Sequence, residues 1–560
     1  MPRPVSALGA SAASVSERLG TWIASVRAEQ IPERVLALAR DQLLSVAAAV
    51  HAGVDTDESR AVAKAVQRRA SPGPVTVLPT GERLALADAL TINSARSMAL
   101  DYDDYLYMGH TGHSAVLASL AVCELEGRTP ADLLVAQVVA NEIAGRVGAS
   151  CVLGPQNGQA WSFIHAAGAA AATAWLLGLD AARCAHALAI ALYQPTFTLW
   201  PGFMGPGSKV LTAAGPTWIG VQAAYLAAEG LTGARQIFEH RRKGFWRFFS
   251  FVPLAHMMTG LGQAWVTETL AFKRYPGCAY IDTTMDALFE VLGEYRSRAG
   301  AALTAGEIER IEVEASLLTI EMDNLSGEHL SAVGLSPVFV NFSIPASVAI
   351  GVLAGRLTSA ELDHAFLERH GAEISALAGR VSLRHDWAAT LVVSQAFDGC
   401  FGASSITAVL GLRDYLKVAR GYARELGGAR PHSLGVSRLL IEHWRALRAT
   451  VLRTRGRARL ARRARTVPDL GAVDFSAFRM AFPSRLTLTT GSGARYQARC
   501  EVPLGAPGDP GRSAAVREKV ATEVGARRGG EAATRLIEVA ARLEAHSLAE
   551  LVAAWCASPT

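Results

Sequence analysis

Apolar residues recur at three- and four-residue intervals through the first half of the chain, the spacing that gathers them on one side of a helix. Two helical segments are expected over 16–51. Ile31-Pro32-Glu33 opens the second, where proline suits a first turn and the acid suits the positive end of the helix dipole. Val35, Leu36, Leu38, Leu43, Leu44 and Val46 then form its packed side. Ser71-Pro72-Gly73-Pro74 breaks the pattern, Val75-Thr76-Val77-Leu78 reads as a short extended piece, and Thr80-Gly81 as a turn. A helix resumes from Leu84, and another starts at Thr129-Pro130-Ala131-Asp132 with Thr129 as its cap. Trp161-Ser162-Phe163-Ile164-His165 runs into an Ala/Gly tract over 166–172, whose small side chains let backbones approach closely in the middle of a bundle. His165 stands at its entrance. The uncharged tract 210–228 approaches membrane length, but Gly215-Pro216 and Gln222 inside it favour a buried helix of a soluble protein.

Beyond Lys273 the texture changes. The run Ile-Glu-Arg-Ile-Glu-Val-Glu-Ala-Ser over 308–316 alternates apolar and charged residues as a half-buried strand does. Val381-Ser382-Leu383 and the pair 485–489 and 496–502 around Thr490-Gly491-Ser492-Gly493 read as further strands, the last two a hairpin. The expected fold class is therefore mainly α. A large all-α domain over 1–272, completed by 513–560, would carry a smaller α+β domain over 273–512, with a basic helical insertion at about 397–470.

Composition narrows the picture without identifying a partner. At 560 residues, 50% hydrophobic and 19% charged, the chain can bury a large interior and is expected to form more than one core. A net charge of +5 is small for this length. Nine arginines fall between Arg445 and Arg465, but only Trp444 accompanies them as an aromatic and no recognition motif adjoins them. A solvated helix face or a contact for an anionic partner is expected there, and no nucleic-acid or membrane partner. Seven scattered cysteines without a CxxC spacing read as reduced and cytoplasmic, and 1–16 lack the apolar core of a signal peptide.

The candidate chemistry gathers in Leu100-Asp101-Tyr102-Asp103-Asp104-Tyr105-Leu106-Tyr107-Met108-Gly109-His110-Thr111-Gly112-His113-Ser114. Were 100–105 helical, Asp101, Asp104 and Tyr105 would share a face and Asp103 would point elsewhere. A solvated acidic loop, a metal site and an acid–base site all fit such a cluster. No calcium-loop spacing supports the second, and carboxylates beside histidines suit proton transfer. Gly202 and Gly207 carry phosphate-loop spacing, but Ser208 precedes Lys209 where that loop needs lysine first, so no nucleotide site is expected. Lys209 stands alone in the otherwise nearly uncharged stretch that runs from Cys184 to Ala228. Burying an unpaired ammonium is costly, so it should face a carboxylate of the protein or of a ligand.

Ile31-Pro32, His51-Ala52-Gly53, Asn93, the Leu100–Asp104 run, His113, Gly168, Lys209, Lys273-Arg274-Tyr275-Pro276 and a late glycine hairpin before Pro503-Leu504-Gly505 together resemble the MmgE/PrpD family. The likeness covers about 16–395 and 480–555. It implies a helical domain with an α+β lid, a site between them, a homodimer, and chemistry on carboxylates that needs neither cofactor nor metal. Carried over by position, Asp101, His113, His165, Lys209 and Lys273 are the implied catalytic residues. Tyr105, Asp104, His110 and Ser208 beside them are the expected substrate contacts. Three departures point to a specialised substrate. Tyr105 stands where the family has a small hydroxyl residue, Leu317-Leu318-Thr319-Ile320-Glu321 holds no tyrosine, and Gly277-Cys278-Ala279-Tyr280 replaces a polar turn. The expected function is a dehydratase or decarboxylase. An isomerase or epimerase on the same scaffold, an inactive binding protein, and a cyclase of the DxDD type read from Asp101–Asp104 are the alternatives. Aromatics at only 7% of the chain count against the cyclase.

Overall fold

A computed structural model describes residues 13–155, 158–159, 162–327, 334–425, 448, 452 and 468–556. The arginine-rich run at 445–465 lies outside them except for positions 448 and 452. The molecule is mainly α-helical, and its helices begin where the capping chemistry predicts. Ser14 and Glu17 form a reciprocal cap on Val15–Ser25, Pro32 precedes Glu33–Gly53, and Thr129 with Asp132 caps Pro130–Ser150.

The helix Ser162–Leu176 lies at the centre, with every residue but Trp175 buried. Gly112–Glu126, Pro130–Ser150, Ala181–Leu192 and Ala214–Ala228 surround it. Its alanines are what let that many neighbours fit. At Gly220 a Cβ would come 2.2 Å from the Ala166 carbonyl oxygen, so glycine there sets the approach of Ala214–Ala228. The tract 210–228 is not one continuous helix. A short 3-10 turn, Gly207–Leu211, precedes Ala214–Ala228 and positions Lys209.

Glu33–Gly53 is long and apolar enough to cross a membrane by length and composition alone, yet most of it is buried inside the protein. One side of it receives Arg512–Arg528 from the far end of the chain. Ser513 Oγ donates to Asp41 at 2.6 Å, Lys519 Nζ lies 3.0 Å from Ser45 Oγ, and His51 Nε2 lies 3.0 Å from the Trp555 carbonyl.

The downstream region builds one four-stranded sheet in the order Arg495–Cys500, Ser484–Thr490, Ile308–Ala315, Val381–His385. The first two form the expected hairpin, Ile308–Ala315 runs antiparallel to Ser484–Thr490, and Val381–His385 joins parallel. Ile308, Ile311, Val313 and Ala315 are buried, while Glu309 between them is exposed. Ala279–Ala299 covers the sheet at the hairpin and packs against Ile344–Ala354, which also touches Val381–His385.

Candidate active site

Three connections bring the charged groups together. After the helix Leu86–Met98 ends, Asp101 takes a left-handed backbone with φ +51°. That conformation costs a non-glycine residue roughly 1 kcal/mol, and aspartate is among the few types that tolerate it. Two residues further on, Asp104–Tyr105 pairs antiparallel with Ala271–Phe272. Residues 100–105 are therefore not helical, and the helical facing rule does not hold: Asp101 and Asp103 converge on Lys273 while Asp104 turns to Gln42. The same two-residue ladder sets Lys273, the residue after Phe272, beside Asp103.

Lys273 Nζ donates to Asp101 Oδ2 at 2.8 Å, to the Asp101 carbonyl at 2.6 Å and to Asp103 Oδ1 at 2.6 Å. Lys209 Nζ lies 3.0 Å from Asp101 Oδ1 and donates to the Met98 carbonyl at 3.2 Å. The carboxylate that an isolated buried lysine needs is Asp101. Both amines are shut away from solvent, so each charge is held by its partners and not by water. Burial alone would raise the Asp101 carboxyl; Lys209 and Lys273 outweigh it and hold it well below the usual carboxylate range. The mirror argument applies to Lys273. Burial would lower its amine, but Asp101 and Asp103 hold it above the ordinary lysine value.

Asp103 is the hub that the helical reading passed over. Its Oδ2 lies 2.8 Å from His110 Nδ1 in a hydrogen bond and 2.9 Å from His113 Nε2, the latter too far off line to count as one. His113 Nδ1 sits 2.7 Å from Ser97 Oγ. His165 Nδ1 sits 3.0 Å from Ser114 Oγ, whose hydroxyl is placed to donate to the Thr111 carbonyl at 3.1 Å. With that proton committed, Ser114 accepts from Nδ1–H of His165, an assignment made from the hydrogen-bond network. The unprotonated nitrogen is then Nε2, which has no protein partner. Burial, reinforced by His113 and His110, pushes the His165 pKa well below the ordinary histidine value and keeps the ring neutral.

His165 opens onto a cavity of about 380 Å³, together with Asp101, Tyr105, His110 and Thr212. Tyr107, Phe397 and Phe482 form one side of the wall, and Phe203 and Phe342 another. Lys209 lies one layer behind this second side, with Nζ 5.8 Å from the Phe203 ring centre and 5.3 Å from that of Phe342. Neither Lys209 nor Lys273 is itself part of the wall.

The expected residues thus separate. Asp101, Tyr105, His110 and His165 meet at the cavity, Lys209 and Lys273 stand behind Asp101, and His113 is buried behind Asp103. Asp104 and Ser208 are corrections. Asp104 accepts from Gln42 Nε2 at 2.7 Å and from the Gly112 amide at 3.2 Å, in a polar network beneath the helix Gly112–Glu126. Ser208 is exposed and donates to the Gly202 carbonyl at 2.7 Å, turned outward by the same 3-10 turn that points Lys209 inward. The cyclase alternative also fails on geometry. An acid that protonates an alkene must be un-ionised and open to substrate, whereas Lys273 and the two histidines outweigh burial to hold Asp103 well below the carboxylate range, and Asp103 is absent from the cavity wall.

Sequence reasoning missed Asp103, the orienting hydroxyls of Ser97 and Ser114, and the wall residues Tyr107 and Phe397. Phe397 carried no signal, because it opens a segment with no likeness to the family.

The helical bundle thus buries paired lysines and aspartates beside a neutral histidine, a set of titratable groups gathered without exposed charge. Residues 17–254 match the MmgE/PrpD N-terminal domain. It is 26% identical over 299 residues to a cis-aconitate decarboxylase of Aspergillus terreus, an alignment covering 50% of this chain and 61% of that protein. It is also 26% identical over 280 residues to the human cis-aconitate decarboxylase, covering 47% and 56%. The chain thus spans about three-fifths of the length of the curated relatives it matches. The matched segment contains Asp101, His110, His165 and Lys209, and Lys273 lies beyond it.

Proposed function

We propose that the protein is a lyase acting on a carboxylate substrate, a dehydratase or decarboxylase that uses His165 as its base and needs no cofactor. The observation that carries this reading is the unpartnered Nε2 of a neutral, buried His165 facing the same cavity as Asp101, whose two oxygens hold Lys209 and Lys273. A base has to be unprotonated at working pH and within reach of the substrate; the environment of His165 supports both.

Proton abstraction or loss of CO₂ next to a carboxylate leaves negative charge on the substrate. Two fixed ammonium groups one layer behind the wall stabilise that charge more than they stabilise the starting acid, and they need no rearrangement as it develops. His110, tied to Asp103, is the second proton carrier in this scheme and takes the cavity position that His113 does not. His113 positions Asp103. The region 273–512 closes the cavity as a lid, and the working form is a homodimer in the cytoplasm. An isomerase would begin with the same abstraction and differ only in where the proton returns.

The test is turnover of a panel of carboxylic acids by the purified chain, with mass detection of water or CO₂ loss. Activity in the wild type that is abolished in His165→Gln and strongly reduced in Lys209→Ala supports the reading. Unaltered turnover in both variants ends it, and a product of unchanged mass transfers the assignment to an isomerase.

A further inference from the structure

The chemistry of the cavity wall differs from what a polyanionic substrate needs. Among the described residues no lysine or arginine lines it. The titratable groups that reach the wall beside His165 are already committed, Asp101 to both amines and His110 to Asp103. A ligand with several carboxylates would have to leave water without a free cation to receive each charge, and burial of unpaired charge is strongly unfavourable.

The wall supplies something else. Tyr107 packs its ring 6.1 Å from Phe397 and 5.5 Å from Phe478, Phe397 lies 5.9 Å from Phe482, and Phe482 lies 6.4 Å from Tyr105. Across from them Phe203 and Phe342 pair at 5.4 Å. Such ring faces reward an apolar or aromatic guest. Within this apolar surround four buried polar atoms have no protein partner: the hydroxyls of Tyr105, Tyr107 and Thr212, and Nε2 of His165. All four belong to residues of the cavity wall, and the imidazole acceptor suits a carbon acid beside a single carboxyl group.

We infer that the substrate is an arylalkyl carboxylic acid, its ring held by Tyr107, Phe397 and Phe482 and its carbon acid facing the imidazole of His165, in place of a small polycarboxylate. The inference rests on the carboxylate-lyase reading above and specifies its substrate class.

Calorimetric binding of 3-phenylpropionate, propionate and tricarballylate to the full chain tests it. 3-Phenylpropionate is expected to bind at least about tenfold tighter than propionate, from burial of the phenyl group, with tricarballylate no tighter than propionate. Phe397→Ala should remove most of this preference and Phe397→Leu part of it, each read as the ratio of the two affinities within the same variant. Tricarballylate binding tighter than 3-phenylpropionate overturns the inference, as does a preference that survives both substitutions. If tricarballylate wins and a tricarboxylate is turned over in a His165-dependent way, the lyase reading stands and only the aromatic substrate class falls. If none of the three acids binds, both fall.

Discussion

The charged cluster around Asp101 and Asp103 and the cavity beside it are both buried, yet they treat polar atoms in opposite ways. In the cluster Lys273 reaches two carboxylates and a carbonyl, Lys209 reaches a carboxylate and a carbonyl, and Asp103 faces an amine and two histidines. In the cavity the hydroxyls of Tyr105, Tyr107 and Thr212 and the Nε2 of His165 touch no partner. Desolvation is costly in both places. The ion-paired groups are therefore architecture that sets a potential, and the unpartnered ones on the cavity wall are the sites the proposed reading leaves for a ligand.

The sharpest way to break this contrast is to remove the base. His165→Gln is expected to lower turnover by about 10²–10⁴-fold while leaving the melting temperature close to that of the wild type. A comparable loss in folding stability would assign His165 to the architecture instead. Next comes Asp101→Ala, which strands two buried ammonium groups against each other. It should destabilise the fold by about 3–5 kcal/mol, read from the shift in urea midpoint. A change below about 1 kcal/mol, the range of exposed pairs, would show the cluster to be hydrated.

The pH dependence sharpens the same comparison with a smaller effect. Burial lowers the His165 pKa, so the neutral base persists as pH falls below the ordinary histidine value of 6.5, and the acid limb of kcat/KM should lie below that value. A limb at 6.5 or above would mean a solvated base. The smallest expected effect is Tyr107→Phe. Its hydroxyl has no protein partner, so stability should change by less than about 0.5 kcal/mol or rise slightly, and a rise in KM would place that hydroxyl against the substrate.

The sequence was most informative where one short-range rule decides the outcome. Helix starts at Pro32 and Thr129, the alternation in 308–315 and the 484–500 hairpin follow from capping, periodicity and turn chemistry, which act over a few residues. The buried lysine that had to meet a carboxylate was legible for the same reason, since desolvation penalises it in any fold. The facing of Asp101, Asp103 and Asp104 was misread, because it turns on a single left-handed residue at Asp101 and on a two-residue ladder to Ala271–Phe272, far away in the chain. An aromatic content of 7% likewise concealed how many rings gather at one cavity.

The amino-acid order by itself determined the mainly α class, the helix boundaries and the need for Lys209 to be paired, because local hydrogen bonding and the cost of burying charge are properties of the residues. Only the tertiary structure decided that Lys273 joins Lys209 on Asp101, that His110 and not His113 reaches the cavity, and that Phe397 helps to wall it. Those outcomes depend on which distant segments pack together, and packing is settled by the whole core at once.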